Sequence, residues 1–170
     1  MIIAHKTCNE YLLNIIKNGK ITSSKKNRNI NYGESIYNST SYMFFNTMPK
    51  YKIQVMTPPM IIFDYSVLLN KTFYISKSHT GALKNREKKK VLTSHKEKLY
   101  EILKKLYTYS AEFKSKKDPE LFTIHQEIFT KHELVLEKAK YIYISKNFDK
   151  INELKKIIKD KFPNLIILYR

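Results

Sequence analysis

The side chains most suited to chemistry in this sequence stand in strand-like segments, outside its charge runs. His5 follows the short apolar run Met1–Ala4 and precedes a helix start. Glu127 lies in Leu121–Phe129 (LFTIHQEIF) among apolar neighbours. Glutamate is depleted in strands, which favour β-branched and aromatic residues, so a carboxylate there needs a reason. The plain alternatives are an edge-strand glutamate facing solvent and a hydrogen-bonded structural histidine. His125, Glu127 and His132 would make a metal set, but their spacing matches no compact ligand motif, and no metal is expected. Cys8 is the single cysteine. It excludes an intramolecular disulfide and a cysteine-based zinc site, and a lone thiol behaves in most settings as a small hydrophobe. Tyrosines and lysines interleave from Lys98 to Lys117, a composition able to stack bases and hold phosphates. Helical periodicity accounts for most of those tyrosines as core.

The elements that must position these residues are signalled locally. Met1–Lys6 reads as a strand. Thr7 and Glu10 have the spacing of a capping box. Leu12, Leu13, Ile15 and Ile16 form a helical apolar stripe, and Gly19 stands where a left-handed C-cap is needed. The segment 21–38 is polar and aperiodic and reads as a loop. Tyr42–Phe45, Met60–Asp64 and Phe73–Ile75 read as strands. Ser94 and Glu97 have the spacing of a second capping box. Beyond them Leu99, Ile102, Leu103, Leu106, Tyr107, Ser110 and Phe113 recur at helical intervals, so the lysines between them form a solvated face. In 121–129, alternation places Phe122, Ile124, Gln126 and Ile128 on one face and His125 and Glu127 on the other. Tyr141–Ile144, a helix over Phe148–Phe162 and Leu165–Leu168 read as one parallel crossover unit.

The chain has 170 residues, 42% of them hydrophobic, enough for one domain with a real core. With three glycines there is no glycine-rich phosphate loop. No apolar stretch approaches the length of a membrane span. No secretory leader is visible, and the cysteine usage suits a reducing compartment, cytoplasm or nucleus, or a host cytoplasm if the source is viral. The net charge is +17. A basic surface attracts polyanions. Yet the basic residues are almost all lysine, with arginine only at Arg28, Arg86 and Arg170. Lysine, asparagine, isoleucine and tyrosine are also what an AT-rich genome encodes, such as that of a large DNA virus or a low-GC microbe. Oligomeric state is not legible.

Taken together, these features resemble the ADP-ribosyltransferase superfamily, in a divergent form closest to small toxin-like or DarT-like members. That family opens with a strand ending in His-x-Thr, here His5-Lys6-Thr7. A helix of the pattern xxLxxILxxGxI follows, here Tyr11–Ile21. An aromatic strand comes next, here Tyr42–Phe45, and a late strand carries the catalytic Glu, here Gln126-Glu127. The resemblance implies an α+β fold with two small packed sheets around a cleft and flanking helices. It implies a single domain over 1–170, with a Lys-rich helical insertion at about 83–117. It implies NAD as the substrate. His5 would contact the NAD ribose, with Lys6 and Thr7 beside it and the local backbone holding the nicotinamide amide. An aromatic residue would stack on nicotinamide; Tyr42 is the expected one, with Tyr37 and Phe44 as alternatives. Gln126 would lie against the cofactor. Glu127 would hydrogen-bond a ribose hydroxyl and stabilise the oxocarbenium-like transition state electrostatically. The implied activity is transfer of ADP-ribose to a macromolecule, either nucleic acid or a protein bound to it. The sister chemistry, RNA 2′-phosphate transfer to NAD, needs an arginine-rich cleft that three scattered arginines do not offer. The rival from another class is a non-enzymatic basic module that binds nucleic acid or a partner protein, such as a viral accessory protein.

Overall fold

The computed structural model describes residues 1–22, 43–48, 58–76, 88–115 and 127–170, with backbone alone at 43–48, 76, 88–89, 107–115 and 127. The fold is α+β. Among the described residues, ten strands and three α-helices follow in the order β1 (Ile2–Lys6), α1 (Asn9–Asn18), β2 (Lys20–Ile21), β3 (Met43–Met48), β4 (Met60–Asp64), β5 (Phe73–Ser76), β6 (Lys88–Val91), α2 (Lys96–Ser115), β7 (Glu127–Thr130), β8 (Leu134–Val135), β9 (Ala139–Ile144), α3 (Ile151–Lys161) and β10 (Ile166–Tyr169). Eight strands pair in the order β10-β9-β4-β1-β3-β7-β5-β6, and β2 pairs with β8 in a separate ribbon.

The ladder consists of two groups joined through β3. The carboxyl-terminal half of β3 pairs with β1, Asn46 opposite Ala4 and Met48 opposite Ile2. Its amino-terminal half pairs with β7, Phe45 opposite Ile128 and Met43 opposite Thr130. Neighbouring pairs are antiparallel except β9 and β10, which run parallel as the crossover reading requires, with α3 between them. The buried stripes of all three helices enter one core: Leu12, Leu13 and Ile16 from α1, Leu99, Leu103 and Leu106 from α2, Leu154 and Ile158 from α3. They pack on one face of the ladder, with Ile3, Ile61, Phe63, Ile75, Ile128 and Ile142. A smaller buried cluster on the other face holds Ile2, Ala4, Met60, Ile62 and Tyr143. The Lys-rich segment contributes to this frame. Its strand β6 borders β5 at the ladder's end, and its helix α2 supplies Leu99, Leu103 and Leu106 to the main core.

The cap signals are partly displaced. The N-cap of α1 is Cys8, one residue later than the Thr7–Glu10 spacing suggests, and it makes no side-chain cap bond. The Thr7 N–H is instead donated to the Pro59 carbonyl at 3.2 Å, so a tertiary contact claims the residue that the local pattern reserves for the helix. Before α2 it is Thr93, not Ser94, whose hydroxyl accepts the His95 N–H, at 3.1 Å. The stop of α1 is as expected: Gly19 has φ 71°, and its N–H reaches the carbonyls of Ile15 and Ile16. A Cβ at Gly19 would meet Phe162 Cζ at an ordinary 3.5 Å, so the cost of a side chain there is backbone strain. Gly19→Ala is expected to lose about 1 kcal/mol of stability and Gly19→Asn less, since asparagine tolerates the left-handed region better. Urea unfolding of the three proteins checks this; equal midpoints would contradict it.

Asp64 ends β4 and caps the following 3-10 turn, Tyr65–Leu68, by accepting the Ser66 N–H at 3.0 Å. It also pairs with Lys140 of β9 at 3.3 Å. Burial pushes this carboxyl up, but the Ser66 bonds and Lys140 outweigh it and leave it below the usual value. A depressed folded pKa gives stability that is complete above the unfolded value and lost as pH falls through the folded one. Asp64→Asn keeps an acceptor for Ser66 and loses the charge, so it is expected to cost about 0.5 kcal/mol near neutrality and to flatten the acid limb of the stability curve. Unfolding free energies measured from pH 2 to pH 7 would show it; an unchanged acid limb would speak against the assignment.

Candidate active site

The end of β1 is held from several sides. Ile2, Ile3 and Ala4 are buried. β1 stays paired with β4 through Lys6, opposite Met60, whereas its pairing with β3 stops at Ala4. His5 and Thr7 are half-buried and Lys6 is exposed. The Thr7–Pro59 bond and the start of α1 two residues on fix the segment His5–Cys8 at both ends. The three residues singled out on this strand thus lie where β1 parts from β3.

β7 lies between β3 and β5, so it is a central strand. Half-burial was expected of it, yet Ile128, Phe129 and Thr130 are each 0% exposed. Both faces are covered at these positions. Its far end is fastened by side chains. The Thr130 hydroxyl donates to the Thr72 carbonyl at 2.9 Å and accepts the His132 N–H at 3.1 Å. His132 Nε2 accepts the Thr72 N–H at 3.3 Å, which gives this histidine a structural part. Glu127 opens the described strand, opposite Ser76 of β5.

Register places the two anchors closely along the ladder. Continued by one residue, the β1 pairing sets His5 beside Phe45, and the β7 pairing sets Glu127 beside Asn46. They flank the middle of β3, two strand spacings apart, or roughly 10 Å between backbones. His5 keeps the parity of Ile3, and Glu127 that of Phe129. Followed through β3 these are opposite parities. A ligand that touches both must therefore sit across the split where β1 and β7 leave β3, not flat on one sheet face. Tyr42, Tyr37, His125 and Gln126 lie outside the described residues, and Phe44 is placed by backbone alone, opposite Phe129. Among the described residues, no three His, Cys, Asp or Glu side chains come together as a metal set.

Sequence reading passed over Tyr74. Its ring stacks on Phe129 at 5.4 Å between centroids and 17° between planes. The signal was present in Phe73–Ile75: with Phe73 and Ile75 in the core, alternation sends Tyr74 to the opposite face. It also passed over Pro59, whose carbonyl holds Thr7.

No family profile matches this sequence, and no curated protein matches it either. Solved structures do. DarT from Thermus sp. 2.9 in complex with NAD+ superposes with a TM-score of 0.64 at 17% identity, over 99% of this chain and 94% of that one. The same protein in complex with ADP-ribosylated ssDNA gives a TM-score of 0.56 at 15% identity, over 99% and 93%. DarTG from Thermosipho africanus in complex with ADP-ribose gives 0.59 at 12% identity, over 99% of this chain and 49% of that one. At such identities the likeness speaks for the fold. The chain has the fold of the DarT ADP-ribosyltransferases, in a widely diverged sequence.

Proposed function

We propose that this protein transfers ADP-ribose from NAD to a macromolecular acceptor, nucleic acid foremost. The observation that carries the reading is that His5 and Glu127 flank the middle of β3, in a fold shared with DarT structures holding NAD+ and ADP-ribosylated ssDNA. The end of β1 suits a nicotinamide riboside. Its backbone at Lys6 lies past the last β3 pairing, and Thr7 is fixed by Pro59. In this reading His5 hydrogen-bonds a ribose hydroxyl, and the Lys6 backbone takes the nicotinamide carboxamide. Thr7 steadies that turn, Tyr42 covers the nicotinamide ring, and Gln126 orients the ribose beside Glu127.

The bond that breaks joins the ribose C1′ to the nicotinamide nitrogen, and its electron pair leaves with nicotinamide. Glu127 holds its carboxylate near the positive charge that develops on the ribose, where fixed charge lowers the barrier most. An acceptor nitrogen or oxygen then bonds to C1′ and gives up its proton to Glu127 or to water. Nucleic acid as the acceptor is supported by the chain's net charge of +17 and by the DarT complex with modified ssDNA. The test is release of labelled nicotinamide from NAD, with and without oligonucleotide, and label carried to the acceptor. Release that rises with acceptor supports the reading. A folded protein that neither binds NAD nor frees nicotinamide leaves a basic binding module instead.

A further inference from the structure

We infer that the free edge of β10 takes up an extended, acidic segment of a partner protein as an added strand, held by the backbone of Ile167 and Tyr169 and by Lys155 and Lys159 of α3. The inference is independent of the catalytic reading, since β10 ends the ladder, three places from β1. It begins from the hydrogen bonds of the parallel pair. The Arg170 N–H donates to the Ile144 carbonyl at 2.9 Å, and the Arg170 carbonyl accepts the Lys146 N–H at 3.2 Å. In a parallel ladder both backbone groups of one residue turn to the same neighbour, and those of the next residue turn away. Ile166 and Leu168 share the parity of Arg170 and direct theirs to β9, so Ile167 and Tyr169 aim their N–H and C=O groups at the open side. Among the described residues no strand adjoins β10 there. The strand at the other end of the ladder, β6, carries Lys88, Lys89 and Lys90, charges of the kind that guard an edge against pairing. β10 is Ile-Ile-Leu-Tyr, with no charge of its own. Ile166 and Tyr169 are 54% and 41% exposed.

The helix beside this edge favours one class of segment. The inner flank of α3 is taken by α1: Glu153 pairs with Lys17 at 2.7 Å, and Lys161 donates to the Lys17 carbonyl at 3.4 Å. The opposite flank overhangs β10, with Lys155 over the Tyr169 ring at 5.7 Å. Lys159 follows one turn on along that flank, and both lysines are exposed. The crossover runs α3 against the strand direction, so Lys159 stands toward the Ile167 end. Four helical residues advance about 6 Å and two strand residues about 6.6 Å. Acidic side chains at alternate positions of an added strand therefore meet both lysines in step. The positions between them fall on the reverse face, against the exposed Ile166 and against Leu168, which packs on the smaller cluster. A nucleic acid would satisfy the lysines but leave the backbone donors and acceptors of Ile167 and Tyr169 unmatched, whereas strand addition uses both. A second copy of this chain would bring like charge to like, at +17 each.

The probe is a short fluorescent peptide alternating glutamate and valine, its affinity read by anisotropy; with lysine in place of glutamate it should not bind. Lys155→Gln, Lys159→Gln is expected to weaken binding about fivefold, the worth of two exposed ion pairs. Lys96→Gln, Lys98→Gln on α2 removes the same charge elsewhere and should leave affinity within about twofold. Tyr169→Pro removes one outward N–H and no bond to β9, and should weaken binding about tenfold; Tyr169→Val keeps that N–H and should stay within about threefold. N-methylation of the peptide reads the mode of binding. In antiparallel addition the glutamates opposite Ile167 and Tyr169 carry the bonded N–H groups, and in parallel addition the valines do. Methylating one set should abolish binding and methylating the other should spare it. Thermal melts identify any variant that fails to fold, and the lysine pairs and methylated peptides keep the test decisive if Tyr169→Pro does. No binding by wild-type protein, equal binding of the lysine peptide, equal losses in both lysine pairs, or the same effect from both methylated sets overturns the inference. Sedimentation of the protein alone tests the other occupant. A wild-type dimer that Tyr169→Pro separates gives the edge to a second copy and overturns the inference as well.

Discussion

Glu127→Gln is expected to lower turnover by about 10²–10³ while leaving NAD affinity within a few-fold. In the proposed role the carboxylate acts on charge that exists only in the transition state, and an amide of the same shape keeps the hydrogen bond but removes the charge. A contact of that kind affects the rate constant and spares ground-state binding. His5→Ala should behave differently. In the proposed reading its hydrogen bond to the ribose is made on binding and persists at the transition state, so NAD affinity is expected to fall and the rate on saturated enzyme to change less. Single-turnover nicotinamide release, with NAD affinity measured separately by calorimetry, resolves the two variants. Equal loss of affinity in both would show that Glu127 is a binding residue. Undiminished turnover in Glu127→Gln would place the pocket on another strand.

The second large effect is on folding. Phe63 is fully buried in the main core and lies opposite Ile3 of β1. On its other side it is opposite Ala139 of β9, after a register shift between Ile62 and Phe63. It therefore joins the strand that carries His5 to the group containing the parallel β9–β10 pair. Phe63→Ala removes a large ring from a closed site, at a cost of about 3–5 kcal/mol. Domains of this kind have about 5–15 kcal/mol in total. The urea midpoint should fall steeply with the slope little changed. Because β1 loses its packing partner, the contact with NAD proposed for His5 should weaken with it. A loss below about 1 kcal/mol would mean that the core closes over the gap and that β1 is held chiefly by its backbone pairing.

Local physics made much of this frame legible. Helix α1, its stop at Gly19, the strand Met60–Asp64 and the parallel crossover at the carboxyl end all follow from spacing and turn chemistry within a few residues. What depends on distant partners did not show. Strand β6 is Lys88-Lys89-Lys90-Val91, with no alternation to announce it; its strand character comes from pairing with β5. The Thr7 cap was displaced because Pro59, some fifty residues away, takes its N–H. Burial on both faces of β7 comes from distant neighbours, the helix-lined core on one face and Tyr74 stacked on Phe129 on the other, which no local pattern encodes. The candidate residues were legible for a different reason. His5 and Glu127 stood out as polar residues among apolar ones, and the fold sets them on either side of β3. That they differ in parity, so that a shared ligand must cross the split, was visible only from the strand register.

The most direct measurement is a crystal structure of Glu127→Gln grown with NAD, the variant chosen so that NAD survives. The nicotinamide riboside is expected in the split beside β3, its carboxamide on the Lys6 backbone, one ribose hydroxyl on His5 and another toward residue 127. NAD bound anywhere else, or an empty split at saturating NAD, would contradict it.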